Sequence, residues 1–404
     1  MALLIKEDSI FYAKEEATEG TTVYPTSTTD GFIQLKQEGV ELSSERETKD
    51  RNIHTGTLKA ATPRLGMRMV SGSFPCEMKA DGDEGGSPDY SILMESLLPT
   101  VTTVSARSTT KATGNTGSLL QIEDADIADY AVGDFVVVLE SGAYHPAFIT
   151  ARATGAGVAS ITITPAKASG SFSNSVVISK SKTYKPADIG HKSFTAGRYI
   201  GSGASGSGIR DVAAGSRTSG LSMENFTTGE LPVFKFDFEG LTFAQTAATD
   251  TPYTPSYDTA LPSVVLNSKI YKDGTAVALN QASFSIEQPL SFQLSTASAN
   301  GRVTGRASGK RNITGSISPY TDGTSIAYWT AWEAGTTFAL FGYTANPDAT
   351  NGIALGSIVG FYFPACFITK PAFADEEGVV TEQIEFKATG GDTGDSDEVF
   401  IGFC

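Results

Sequence analysis

The residue types that most often carry chemistry are few and scattered. The histidines His54, His145 and His191 share no short spacing with one another or with Cys76, Cys366 and Cys404. A zinc or haem site needs such spacing, because several ligands must reach one ion at bond distance. Residues 201–206 (GSGASG) match G-x-G-x-x-G. That pattern holds a pyrophosphate only when it opens an amphipathic helix. Here it runs into a stretch broken by Gly215 and Gly220, which reads as a flexible loop. No G-x-S-x-G occurs, so the sequence offers no elbow for a serine nucleophile. The acidic turns at Asp81, Asp83 and Glu84, and at Asp392, Asp395, Asp397 and Glu398, lack the full loop of a calcium-binding hand. They read as solvated turns. Trp329 and Trp332 stand three apart on an expected helix, a spacing that packing explains without a ligand. The expectation is therefore no catalytic residue, no metal and no cofactor. The three distant cysteines form no secreted disulfide framework. They read as inert buried thiols, with terminal Cys404 the one placed to reach solvent.

The elements that surround these residues are β-type. A chain of 404 residues is too long for one ordinary core and suggests two or three domains. With 42 glycines, 40% hydrophobic and 19% charged residues, the composition fits strands joined by tight turns. The formal net charge is −15, which argues against a protein that grips nucleic acid through its phosphates. Near the first residue, Leu3, Leu4 and Ile5 give way to Lys6, Glu7 and Asp8, which is not a signal-peptide pattern. No apolar run approaches a membrane span, so no membrane partner is expected.

Along the chain, residues 8–13 read as a short strand. Residues 32–43 (FIQLKQEGVELS) alternate, with a change of phase near Gly39 that suggests a bulge. Residues 44–63 have no period and read as a long loop. Residues 64–78 resume a strand. Residues 88–98 read as a helix, with Ser87 as N-cap and Pro88 at its first position. Residues 100–186 carry short strands at 118–122, 134–140, 147–150, 160–164 and 176–179, the pattern of a small β-module. Strands at 191–200, 221–226 and 232–243 follow, then a Pro/Thr/Asp-rich linker.

The strongest signal is an internal repeat. Residues 32–35 (FIQL), a polar loop, a strand from Arg64, a turn, a helix, a strand at 192–199 and a closing strand at 234–240 (FKFDFEG) have a second set in the same order. That set is 292–294 (FQL), a loop at 295–310, a strand at 312–318, a turn at Asp322 and Gly323, a helix at 325–333, a strand at 336–344 and a closing strand at 382–390. Without residues 101–187, the first set is about as long as the second. The reading is a first β-domain over 1–100 and 188–245, an inserted module over 101–187, a linker over 246–259 and a second β-domain over 260–404. The competing reading is two unrelated β-domains that share turn chemistry.

Residues 310–319 (KRNITGSISP), 352–364 (GIALGSIVGFYFP), 375–387 (DEEGVVTEQIEFK) and 395–403 (DSDEVFIGF) together resemble the C-terminal half of tail tube proteins. These are the major tail proteins of long, flexible-tailed bacteriophages. Residues 64–78 and 221–240 (LSMENFTTGELPVFKFDFEG) resemble the same family. The chain departs from the single-domain pattern by its doubling and its insertion. The resemblance implies a mainly β fold: two tail-tube-type β-sandwich domains, each with one short helix, plus an inserted small β-barrel or sandwich module.

It also implies rings whose inner sheets join around a channel, three doubled chains giving pseudo-sixfold symmetry, and rings stacked into a tube that passes double-stranded DNA. The implied partners are the chain itself and the tape measure, terminator and tip proteins of the tail, with assembly in the host cytoplasm and residence in the virion. In the family a long loop reaches the neighbouring ring. Here its candidates are Glu47, Lys49, Asp50 and Arg51 in the first domain and Arg302 and Arg306 in the second. The insertion is expected to project from the outer wall.

Strand alternation sends Gln34, Lys36, Glu41, Ser43 and Glu45, and Ser291, Gln293 and Ser295, to the polar face of their strands. That face either lines an acidic channel or meets solvent outside. A surface adhesin built of β-sandwiches is the alternative reading of the whole chain.

Overall fold

The computed structural model describes residues 9–51, 53, 61–111, 114–155, 157–201, 208–248, 255–266, 268–321, 326–376, 378–390 and 396–404. The chain begins with β1 (Ser9–Glu15), β2 (Phe32–Ile33), β3 (Glu41–Lys49), β4 (Arg64–Glu77), helix α1 (Ser91–Leu97) and β5 (Thr100–Val104). Six strands follow: β6 (Ser108–Thr109), β7 (Leu119–Ile122), β8 (Phe135–Glu140), β9 (Ala143–Ala153), β10 (Ala159–Thr164) and β11 (Val177–Ile178). Then come β12 (Ser181–Lys185), β13 (Phe194–Ile200), β14 (Gly208–Thr227), β15 (Val233–Gly240) and β16 (Thr242–Ala248). The last part holds β17 (Lys269–Lys272), β18 (Thr275–Val277), β19 (Leu279–Glu287), β20 (Leu290–Leu294), β21 (Arg302–Ala307) and β22 (Asn312–Pro319). It ends with helix α2 (Ile326–Ala334), β23 (Thr337–Thr344), β24 (Pro347–Asp348), β25 (Gly352–Ile353), β26 (Val359–Glu376), β27 (Val379–Thr389) and β28 (Phe400–Phe403).

The strand pairings occur twice. In the first set β3 pairs β4, β4 pairs β15, and β15 pairs the C-terminal half of β14. In the second, β19 pairs β22, β22 pairs β27, and β27 pairs the C-terminal half of β26. The N-terminal halves of the long strands cross into outer sheets, where β14 pairs β13 and β16, and β26 pairs β23 and β28. β1 then pairs β13 as β17 pairs β23, and β2 pairs β1 as β18 pairs β17. Even the irregularities recur. The β14–β15 ladder slips at Ser219 and the β26–β27 ladder at Thr369, and each hydroxyl donates to the carbonyl across it, Asp237 O or Glu385 O, at 3.1 Å.

The two inner sheets are one. β14 pairs β19 antiparallel, with Gly220 opposite Glu287, Leu221 opposite Ile286 and Met223 opposite Phe284. The order β3–β4–β15–β14–β19–β22–β27–β26 is thus a continuous eight-stranded surface. Its apolar face packs on the outer sheets and α1 through Phe74, Leu93, Leu97, Phe236, Phe238, Phe284, Phe361 and Phe386, all buried. Aromatic contacts cross the joint at Phe234–Phe284 (6.3 Å) and Phe226–Phe361 (5.8 Å).

Several expected elements are placed differently. The alternation over 32–43 is two elements, because Gly39 at φ +80° turns the chain between β2 and β3. The first part of the expected loop over 44–63, residues 44–49, is strand instead, since β3 and β4 pair out to Lys49 and Arg64; residues 52 and 54–60 lie outside the described residues. The loop over 295–310 likewise contains β21, paired with β20. Helix α1 starts at Ser91, not Pro88. Its cap is Tyr90, without a side-chain cap bond, and Ser87 accepts a hydrogen bond from Lys182 instead. Cys404 is buried, because its backbone pairs with Ile358 in both directions. The linker span begins inside β16.

The six-stranded sheet β6–β11–β8–β9–β10–β7 has its own core around Leu120, Val136, Ile149 and Ile161. It does not hang free. β5 and β12, which bracket it, belong to the large sheet, where β12 pairs β28. Phe135 and Phe148 pack against Phe341, Tyr362 and Phe400 of the second set. Lys185 and Asp134 form a buried ion pair (2.6 Å) at the same seam.

Close ring–glycine contact is a repeated device of the inner sheet. A Cβ on Gly72 would sit 2.1 Å from the Phe238 ring, and one on Gly315 would sit 2.4 Å from the Phe386 ring. Gly72→Ala is therefore expected to cost about 1–3 kcal/mol by overpacking. Ser71→Ala, on the opposite face, should change stability by less than about 0.5 kcal/mol. Urea midpoints of the two variants check this.

Candidate functional site

The eight-stranded sheet presents its second face as a polar surface with no covering sheet among the described residues. Pairing aligns the side chains into rungs. One rung runs Glu41, Ser73, Asp237, Gly220, Glu287, Asn312. Asn312 donates to Glu287 at 3.3 Å, and Ser283 and Ser316 share a hydrogen bond at 2.9 Å two rungs on. On this face Glu41, Glu45, Asp237, Glu239, Glu287 and Glu385 outnumber Lys235, Lys370 and Lys387, so its charge is net acidic.

Of the residues the sequence placed there, Glu41, Ser43 and Glu45 lie on this face together, and all three are exposed. Gln34 and Lys36 do not join them. Both follow β2: the Gln34 N–H donates to Asp89 (2.9 Å) just before helix α1 and its side chain accepts from Lys79 (2.9 Å), while Leu35 bridges Cys76 of β4 and the Lys36 N–H donates to Pro75 O (2.9 Å). The turn at Gly39 separates them from β3. Ser291 and Gln293 lie on β20, with Ser295 just beyond it, in the separate β20–β21 hairpin. The second set's true counterparts are Gln281, Ser283, Ser285 and Glu287 of β19, since Phe284 faces Gly315 as Leu42 faces Gly72. The alternation of Ala282, Phe284 and Ile286 with polar residues carried that signal, but FQL at 292–294 imitates it.

Both hairpin arms leave the same end of the sheet, opposite to the β14–β15 and β26–β27 turns. Glu47 and Lys49 lie in β3, and Asp50 and Arg51 follow it toward the arm tip. Arg302 and Arg306 lie in β21. Arg302 stacks on Phe292 (4.2 Å) and sits 3.7 Å from Glu239. The arm end exposes Leu65, Met67, Leu294 and Val303, and the opposite end exposes Leu266, Tyr320, Val379 and Val380.

The second arm is clamped to the first set of strands by one carboxylate. Glu19 accepts from Arg217 Nη2 (2.8 Å), Thr304 Oγ1 (2.8 Å) and Gly305 N–H (2.6 Å). Burial alone would raise this carboxyl, but these donors outweigh it and hold the pKa below the usual glutamate value. The stabilisation is thus present above the ordinary value, about 4.3, and is lost as pH falls through the lowered folded value. Asp89 has the opposite sign. Burial pushes it up to about 6, against hydrogen bonds from Gln34 and Tyr90. Its charge destabilises the fold above that pH, and the penalty disappears toward pH 4.

No described group of three or more His, Cys, Asp or Glu side chains could hold a metal ion. The thiols of Cys76, Cys366 and Cys404 are buried, which raises their pKa. His145 and His191 bond to backbone carbonyls of Pro165 and of Ser96 and Ala187. His54, Asp392, Asp395 and all but the first residue of 201–206 lie outside the described residues. Trp329 stacks on Phe373 (5.4 Å) and donates to Glu382 (3.1 Å).

A family described as "Phage tail tube protein" matches this chain over residues 7–388. No curated protein matches it.

Two substitutions test the electrostatics. Glu19→Gln should speed exchange of the Gly305 amide by about tenfold or more at pH 7, as expected when a charge-assisted bond worth about 1.5–3 kcal/mol is weakened. Asp89→Asn should raise stability by about 1–2 kcal/mol at pH 8, with the gain vanishing by pH 4, as urea titrations at the two pH values would show.

Proposed function

The chain belongs to the phage tail tube protein family, matched over residues 7–388, and from that we propose that it polymerises as stacked rings into a tube that conducts DNA during ejection. It is a structural protein of the virion tail. The observation that carries the finer reading is the β14–β19 joint: one chain already joins two copies of a four-stranded sheet edge to edge. Three such chains would give a pseudo-sixfold ring. On this reading 1–100 with 188–245 and 260–404 are two tube domains, and 101–187 is a module docked on the outer side of the second.

The polar face is then the channel wall. Duplex DNA carries about one negative charge per 1.7 Å of axis. A cationic wall would hold it at many points, whereas an acidic one repels the phosphates and leaves the duplex free to slide. No catalytic step is needed. The arms and the opposite end differ in charge as well as shape. Arg46, Lys49, Arg51, Arg64, Arg306 and Lys310 gather at the arm end beside Glu47 and Asp50, while Glu230 and Asp375 lie at the turns of the other end. Such unlike ends favour head-to-tail contacts, which build open filaments. The tape measure, terminator and tip proteins of the tail are the expected partners at the tube's ends, and the host cytoplasm is the place of assembly.

Concentrating the purified chain should give hollow tubes or stacked rings in negative stain. Neither should retard duplex DNA in a gel at low salt. Particles that stay monomeric at every concentration would contradict the proposal, and tight DNA binding would contradict the acidic channel.

A further inference from the structure

The eight-stranded sheet ends at two strands that each pair on one side only among the described residues. They are β3 at the start and the C-terminal half of β26 at the finish. Resting on the tube reading above, we propose that β26 of one copy pairs with β3 of a second copy in the register already present at the β14–β19 joint. Lys370 then lies opposite Glu45, Ala372 opposite Ser43 and Phe373 opposite Leu42.

The register follows from superposing the two sets of pairings. Leu221 and Pro371 each stand two residues past the bulge of their ladder, at Ser219 and Thr369, and face Phe236 and Ile384, which places Gly220 with Lys370, Ser222 with Ala372 and Met223 with Phe373. On the other side, Phe284 faces Gly315 and Leu42 faces Gly72, which places Glu287 with Glu45 and Ser285 with Ser43. Inside the chain Gly220 faces Glu287, Ser222 faces Ser285 and Met223 faces Phe284. Carrying these three pairs across to the free edges gives the proposed contacts.

Three observations at the free edges fit this register. First, the glycine that faces Glu287 inside the chain is replaced at the outer edge by Lys370, so Glu45 gains a cation where a slip of one residue would point the lysine to the other face. Second, Phe373 is 62% exposed, whereas its counterpart Met223 is buried by the joint. Third, the first set leaves open a groove of about 450 Å³ whose floor of Phe11, Ile33, Leu35 and Val40 is rimmed by polar side chains such as Lys36 and Glu38. The equivalent groove of the second set, about 230 Å³ between Ile270, Val277, Leu279 and Ala282, is walled by Phe226 from across the in-chain joint. A second copy would bring Phe373 to Leu42, at the mouth of the open groove. The main chain offers one more contact. Gln288 N–H donates to Ser219 O (2.8 Å) at the in-chain bulge, and the matching carbonyl at the outer edge is that of Thr369.

The test combines a covalent and an electrostatic probe on the full chain. Ser43→Cys with Ala372→Cys should give a ladder of linked chains under mild oxidation of assembled protein, and neither single variant should, because the native thiols are buried. Lys370→Glu should lose assembly at least tenfold in critical concentration, and adding Glu45→Lys should restore it. Lys370 and Glu45 are exposed, so thermal melting of the unassembled variants should match the parent. Tubes of the double-cysteine variant that give no ladder, or Lys370→Glu tubes that form like the parent's, would overturn this joint and leave the tube reading standing. Failure of the unsubstituted chain to form any ring or tube would instead overturn that reading.

Discussion

The molecule depends on the antiparallel joint between β14 and β19. An edge strand carries unpaired N–H and C=O groups and tends to recruit any strand it meets. Here one such edge from each repeat is satisfied by the other. The joint also brings Met223, Phe226, Phe284 and Phe361 together on the apolar side, where each aromatic pair adds roughly 0.5–1.5 kcal/mol beyond its buried area. Two four-stranded half-sheets become one wall with a continuous core behind it.

That wall has two consequences that need each other. Alternation puts most of the aromatic residues on one side, and the other side is mainly small, polar and net acidic. The joint also leaves β3 and the C-terminal half of β26 each paired on one side only among the described residues. Lys370 and Pro371 on β26 discourage indiscriminate pairing, since a charged side chain and a residue without an N–H are common guards of an edge. The segment that carries the six-stranded sheet reinforces the outer layer elsewhere, where β12 and β5 extend the large sheet and Phe135 and Phe148 are buried.

Much of this was legible in the sequence where period and burial agree. Phe234, Phe236 and Phe238 alternate with Lys235, Asp237 and Glu239 and are buried as the alternation requires. Glu41, Ser43 and Glu45 were placed on their face by the same rule. Failures arose where a local pattern had two physical realisations. Leu290, Phe292 and Leu294 alternate like a wall strand, but Phe292 serves to seat Arg302 in an arm. Residues 44–49 have no apolar period because they form an arm with little core to face, and sequence alone reads that as loop. Ser87 has the chemistry of a cap, yet the first turn begins later and its hydroxyl is used by Lys182. Pairing between distant strands, such as β12 with β28, leaves no periodic trace at all.

A cryo-electron microscopy reconstruction of the assembled particle is the decisive measurement. It should show an uninterrupted inner barrel in which every second strand-to-strand seam between repeats lies within a chain and the alternate seams lie between chains, with the acidic face turned to the bore. A particle whose inner wall is broken between chains, or whose bore is lined by the outer sheets, would contradict this arrangement.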